Sequence, residues 1–139
     1  LNAVLALNQL PRLDVNNVSR KQNLDVFLDN LDSTKYYTDF NREGNSNYAF
    51  TLLLREPNLE LRDKVEKTLR ENGVEFRRGM SGGGNQLRQP YLSTLFGGEM
   101  YAKQFVNCDH VHFFGWYIGN YPGIKSEDII RLCNLLNEI

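Results

Sequence analysis

The sequence predicts an α+β fold in which a small antiparallel sheet packs with helices, and three observations carry that expectation. Apolar residues at helical spacing mark both ends of the chain, with Leu24, Phe27, Leu28 and Leu31 on one stripe and Ile129, Leu132, Cys133 and Leu136 on another. Between them, residues 48–55, 74–77 and part of 109–118 read as short strands. The joining segments are polar and rich in turn residues. The order helix, helix, strand, helix, strand, loop, strand, helix places helices on one side of the sheet.

In chain order, Leu1, Val4, Leu5 and Leu10 follow helical spacing up to Pro11, and a second helix follows Asp14 to about Leu31. The first of these begins without a capping residue, and the chain has no initial Met, so a fragment of a longer protein is expected. Residues 33–47 form a surface connection. The run 48–55 is apolar on both alternating faces, as a central strand covered on both sides would be. Asn58 caps a helix carrying Leu61, Val65 and Leu69, and Asn72-Gly73 stops it. After the 74–77 strand comes the stretch Gly79-Met-Ser-Gly-Gly-Gly-Asn-Gln-Leu-Arg-Gln-Pro90. Residues 91–106 are expected to be helical in pieces broken at Gly97-Gly98, and a strand follows within 109–118. Ser126 caps the closing helix, with Glu127 and Asp128 in its first turn where the helix dipole favours acids.

The chain has 139 residues, of which 41% are hydrophobic and 12% aromatic, enough for one domain with its own core. Sixteen Lys and Arg against 17 Asp and Glu leave a net charge of -1, which argues against nucleic acid as the main partner. Two cysteines are too few to staple a fold of this size, and no apolar run approaches the roughly 18 residues of a membrane span. A reducing cytoplasmic setting is the expectation. Asn17-Val18-Ser19 has the form of a glycosylation acceptor but is read as chance.

Two stretches carry candidate chemistry. The glycine-dense loop either cradles an anion with successive backbone N–H groups, helped by the forked Arg88, or is a flexible connector. It lacks the Gly-Lys-Ser/Thr ending of a nucleotide P-loop. In Cys108-Asp-His-Val-His112, a strand would turn Cys108, His110 and His112 the same way as three zinc ligands. No second Cys or His pair stands elsewhere, so a His lining a cleft beside the loop, or simple packing, is preferred to zinc. The aromatic run 113–117 reads as core, because a base-stacking sheet needs a basic surround that is missing.

Three stretches together resemble one family. Asn2-Ala-Val-Leu-Ala-Leu-Asn-Gln-Leu-Pro-Arg-Leu-Asp14 looks like the interdomain helix of the DegT/DnrJ/EryC1/StrS sugar aminotransferases. Gly84-Asn-Gln-Leu-Arg-Gln-Pro90 is similar to the G-N-x-x-R-Q-P motif of that family's dehydrase branch, and Tyr117-Ile-Gly-Asn-Tyr-Pro-Gly-Ile124 looks like its C-terminal close.

The resemblance implies the small C-terminal domain of a fold-type I enzyme dependent on pyridoxal or pyridoxamine phosphate. Residues 1–31 would be interdomain helices and 48–139 the α+β core. The large catalytic domain, with its Schiff-base Lys or substituting His, would lie upstream, leaving the fragment inert and without cofactor. In a dehydrase the cofactor acts as electron sink while a 4-keto-6-deoxy sugar nucleotide loses its 3-hydroxyl. A nucleotide-sugar aminotransferase and a stand-alone ligand-binding module remain alternatives. Matched onto the motif, Asn85 and Arg88 are expected to contact the sugar nucleotide or loops shaping its site, with Gln86 and Gln89 in support. His110, His112 and Asn120 are added from their nearness to the third stretch. A homodimeric parent, a role in surface polysaccharide synthesis and a mobile loop over 81–85 complete the expectations.

Overall fold

A bent helical arm leads into the domain. The computed structural model describes residues 2–81 and 84–139, with Met80 described by its backbone alone. Helix α1 covers Asn2–Gln9, a 3-10 turn covers Leu10–Arg12, and α2 covers Leu13–Asn30. Pro11 has no N–H to offer the helical ladder, so the chain tightens into a 3-10 turn there and then continues. The expected stop at Pro11 is therefore a tightening within a nearly continuous run, and the expected start at Leu1 lies outside the described residues. No α1 residue is buried, whereas α2 buries Asn23, Leu24, Phe27 and Leu28 in its second half.

Strand β1 (Ala49–Leu53) is followed by α3 (Leu59–Glu71), whose first turn Asn58 caps by accepting the Leu61 N–H at 2.9 Å. Gly73, at φ 68°, makes the left-handed exit. Strand β2 spans Phe76–Arg78, two residues later than the sequence pattern suggests at its start. Two one-turn helices, α4 (Pro90–Ser93) and α5 (Glu99–Ala102), flank Gly97 and Gly98 at φ 83° and 69°, as the helix-in-pieces expectation required. Then come α6 (Val106–Phe114), β3 (Gly115–Gly119) and α7 (Ser126–Asn137).

The three strands are antiparallel in the order β1-β3-β2, with Phe50 and Phe76 both opposite Ile118, and Leu52 and Arg78 both opposite Trp116. These residues share the face turned to the helices, because side chains alternate along a strand. Thr51, Tyr117 and Arg77 share the opposite, open face. Strand β1 is thus an edge strand with one exposed face, not the central covered strand its apolar run suggested. Leu53 and Ala49 on its outer face line an apolar groove of about 300 Å³ with Val111, Gly115 and Tyr117 instead of a second helical layer.

The core lies between the sheet and α2, α3 and α7, where Phe27 stacks on Phe50 at 4.6 Å. Cys133, Leu136 and Ile129 fill it from α7, as the helical spacing anticipated, with Leu132 partly buried. Burial pushes the Cys133 thiol up to about 12. Tyr36 is fully buried and donates its hydroxyl to the Leu136 carbonyl at 2.9 Å. Ser126 is the first residue of α7 and makes no capping bond, so the cap assigned to it from sequence is not formed.

One charge is sunk into this core. Glu66 of α3 accepts Arg78 Nε at 2.5 Å, Arg70 Nη2 at 2.6 Å and the Trp116 indole N–H at 3.2 Å. Burial works to raise its pKa, but the bonds from Arg78, Trp116 and Arg70 win and hold it below the usual carboxylate range.

Candidate functional site

The glycine loop wraps a histidine. Gly79 adopts φ 60° and its carbonyl accepts the Gly84 N–H at 2.9 Å, which closes the loop on itself. Inside the closure stands His112 of α6, 8% exposed, with its Nδ1 accepting the Asn85 N–H at 3.1 Å. A Cβ on Gly84 would sit 2.2 Å from that nitrogen, so this glycine admits the imidazole rather than freeing the chain. Of the loop expected to be mobile over 81–85, Gly82 and Gly83 lie outside the described residues, while the Gly84 and Asn85 N–H groups are held by hydrogen bonds.

Asn85 is committed on every side. Its Nδ2 donates to the Ala102 carbonyl at 3.1 Å and to Asp109 Oδ1 at 2.9 Å. Its Oδ1 accepts the Leu87 N–H at 3.1 Å and caps the 3-10 turn Gln86–Arg88. Arg88 forks onto Asp109, Nε to Oδ1 at 2.8 Å and Nη2 to Oδ2 at 2.6 Å, and its guanidinium lies 4.6 Å over the Phe113 ring. The hydrogen bond from Arg88 holds the Asp109 carboxyl below its ordinary range, against the effect of burial. Burial, then the nearby Arg88 charge, pushes His112 below its usual value, and the accepting Nδ1 puts the proton of the neutral ring on Nε2.

The structure brings Asn85, Arg88 and His112 into one polar hub and places the other candidates elsewhere. Gln86 is exposed beside it and accepts the Tyr91 hydroxyl at 3.1 Å. The carbonyl of Gln89 takes the first N–H groups of α4, from Leu92 and Ser93. His110 turns to the sheet edge, with Nε2 2.7 Å from the Leu54 carbonyl. Asn120, 1% exposed, joins α2 to the strand ends. It donates to the Arg20 and Asn47 carbonyls at 3.0 and 2.9 Å and accepts Asn23 Nδ2 at 3.0 Å.

Residues 108–112 lie on α6, not on a strand, so Cys108, His110 and His112 do not share a face as zinc ligands would. Among the described residues no cluster of three His, Cys, Asp or Glu could hold a metal ion. The partners that sequence reasoning missed are Asp109, Phe113 and the Ala102 carbonyl. Their signal was the helical spacing of Asp109, His112 and Phe113, which puts the three on one face of α6.

The chain spans about a third of the length of the relatives it matches. It is 27% identical over 140 residues to GDP-4-keto-6-deoxy-D-mannose 3-dehydratase of Yersinia pseudotuberculosis, a match that takes in 99% of this chain and 35% of that protein. Among solved structures it superposes on the same-named enzyme from E. coli with bound hydrated PLP (TM-score 0.73, 21% identity, 94% of this chain and 33% of the other). It also superposes on a protein assigned as a sugar aminotransferase from Streptococcus pneumoniae, in apo form (TM-score 0.76, 12% identity, 95% of this chain and 32% of the other). These likenesses establish the fold, and no helix among the described residues is long and apolar enough to cross a membrane. Residues 1–137 match the DegT/DnrJ/EryC1/StrS aminotransferase family, and the chain belongs to it.

Proposed function

We propose that this chain is the small domain of a pyridoxamine- or pyridoxal-phosphate-dependent nucleotide-sugar enzyme, in the first place a 4-keto-6-deoxyhexose 3-dehydrase. The carrying observation is the match over 99% of the chain to a 3-dehydratase of a GDP-linked keto-sugar. In support, α1, the 3-10 turn and the first half of α2 hold Leu5, Leu7, Leu10, Leu13 and Val18 at 47–69% exposure, apolar surface suited to packing against a larger domain. In this proposal residues 1–31 join the domains and 48–139 form the small-domain core. The parent works in the cytoplasm as a homodimer and supplies a deoxysugar for surface polysaccharide.

The residues present do not fit a cofactor bonded through an amine of this chain. Lys21, Lys64, Lys67 and Lys103 stand in surface pairs with carboxylates, Lys35 binds the carbonyls of Asn137 and Ile139, and Lys125 is exposed. The cofactor, which would supply the electron sink for loss of the hydroxyl, is assigned to the rest of the longer protein. What this domain contributes is orientation. Asn85 and Arg88 shape the 85–88 turn from within, and the exposed Gln86 amide with the Tyr91 hydroxyl is the polar edge that turn presents toward a nucleotide sugar.

The aminotransferase alternative draws on the Streptococcus pneumoniae neighbour. Incubating the full-length protein with GDP-4-keto-6-deoxymannose, pyridoxamine phosphate and glutamate separates the two. A product lacking the 3-hydroxyl is expected, and an amino sugar would overturn the dehydrase assignment. In the same protein Arg88→Ala removes the fork that holds the 85–88 turn on Asp109, and kcat/KM is expected to fall by about ten-fold or more. An unchanged kcat/KM would remove Arg88 from the site.

A further inference from the structure

Among the described residues, the segment 90–105 meets the rest of the domain chiefly at the polar hub. Helices α4 and α5 rest on the 86–88 turn, and Ala102 is the one residue of the two helices that is buried. The segment bends at Gly97 and Gly98, and Leu95 and Met100 on it are 73% and 78% exposed. Among the described residues its anchor points include Asn85 Nδ2 on the Ala102 carbonyl at 3.1 Å, Arg88 Nη1 at 3.9 Å from Glu99, the Tyr91 hydroxyl on the Gln86 amide oxygen at 3.1 Å and the Asp109 N–H on the Phe105 carbonyl at 2.9 Å. The first two of these depend on side chains that are themselves oriented by one carboxylate, since Asp109 accepts Asn85 Nδ2, Arg88 Nε and Arg88 Nη2 together.

We propose that Asp109 is the positioning residue that fixes the 90–105 segment as a flap beside the motif turn, so that one carboxylate on α6 sets both the turn and the flap it carries. Asp109 acts through Asn85 and Arg88 and touches no reacting atom. Because the flap adds little to the core, loosening it should leave the sheet and α2, α3 and α7 intact. The prediction is therefore local, which distinguishes positioning from general destabilisation.

The experiment is hydrogen exchange by mass spectrometry on the full-length protein, comparing wild type with Asp109→Asn and Asp109→Glu. Asn keeps the size but loses the charge that holds the guanidinium fork. Expected are amides of 92–105 exchanging at least ~10-fold faster in Asp109→Asn, unchanged exchange in α2, α3 and α7, and partial recovery in Asp109→Glu. Should Asp109→Asn not fold, Arg88→Lys, which keeps the charge without the fork, is expected to speed the same amides. Exchange unchanged in 92–105, or raised evenly across the domain, overturns the proposal.

A kinetic arm rests on the function proposed above. KM for the nucleotide sugar is expected to rise ~10-fold in Asp109→Asn while kcat changes little, and a kcat loss with KM unchanged counts against positioning. If wild type turns over no nucleotide sugar, the proposed function fails, while a local exchange effect still supports the role of Asp109.

Discussion

Replacing Gly84 by Ala tests whether the glycine loop is built around His112. The added Cβ would lie 2.2 Å from His112 Nδ1 and 2.9 Å from the Gly79 carbonyl, against the ordinary contact of about 3.4 Å or more. His112 is 8% exposed and its ring edge touches Phe113 at 4.7 Å between centroids, so it cannot move aside cheaply. Overpacking of this kind costs about 1–3 kcal/mol, and displacing the ring also loses the Asn85 N–H bond, worth about 1 kcal/mol. Stiffening of the unfolded chain gives back about 0.4–1 kcal/mol. The net is about 1–3.5 kcal/mol, which for a domain of this length lowers Tm by roughly 3–14 °C. Urea and thermal unfolding of Gly84→Ala in wild-type and His112→Ala backgrounds provide the assay. Without the imidazole the 2.9 and 3.0 Å contacts with the Gly79 carbonyl group remain, so the cost should fall without vanishing. A neutral Gly84→Ala, or an equal cost in both backgrounds, would refute the clasp.

Glu66→Ala leaves Arg78 and the Trp116 indole N–H without their acceptor inside the core, and a loss of about 2–4 kcal/mol is expected by urea unfolding. Tyr36→Phe keeps the packing but leaves the buried Leu136 carbonyl without the Tyr36 hydroxyl, for a loss of about 1 kcal/mol in the same assay. His112 has a lowered folded pKa, so the unfolded chain takes up a proton first as pH falls below the ordinary 6.5. Stability is complete above that value and declines below it, and a His112→Gln chain should show a flatter urea midpoint between pH 7 and pH 5. Asp109, also lowered, adds a second loss as pH falls below the ordinary 3.8.

Most of the architecture is legible because local chemistry and packing agree. The cap at Asn58, the left-handed exit at Gly73 and the Ile129, Cys133 and Leu136 stripe each follow from residue type and spacing, and each is present. The errors come where local pattern cannot see its neighbours. An apolar run such as 48–55 fits a central strand as well as an edge strand roofed by its own surroundings, and only the β1-β3-β2 order decides between them. Ser126 has the right chemistry for a cap, but the helix begins at Ser126 itself, one residue after the capping position.

The strand expected within 109–118 is corrected at residues 108–112 by the period of one nine-residue helix. Read as a strand, residues 108–112 align Cys108, His110 and His112 and suggest ligands facing outward. Folded as α6, the same residues align Asp109, His112 and Phe113, and these three meet Asn85 and Arg88 as carboxylate, acceptor and aromatic face. The motif side chains with the most hydrogen-bonding capacity are then satisfied inside the domain, at 6% exposure for Asn85 and 11% for the Arg88 side chain. Chemical capacity in a loop therefore indicates a function only after its internal partners are counted, and here Asn85 and Arg88 bond within the domain while Gln86 and Tyr91, bonded to each other, are exposed.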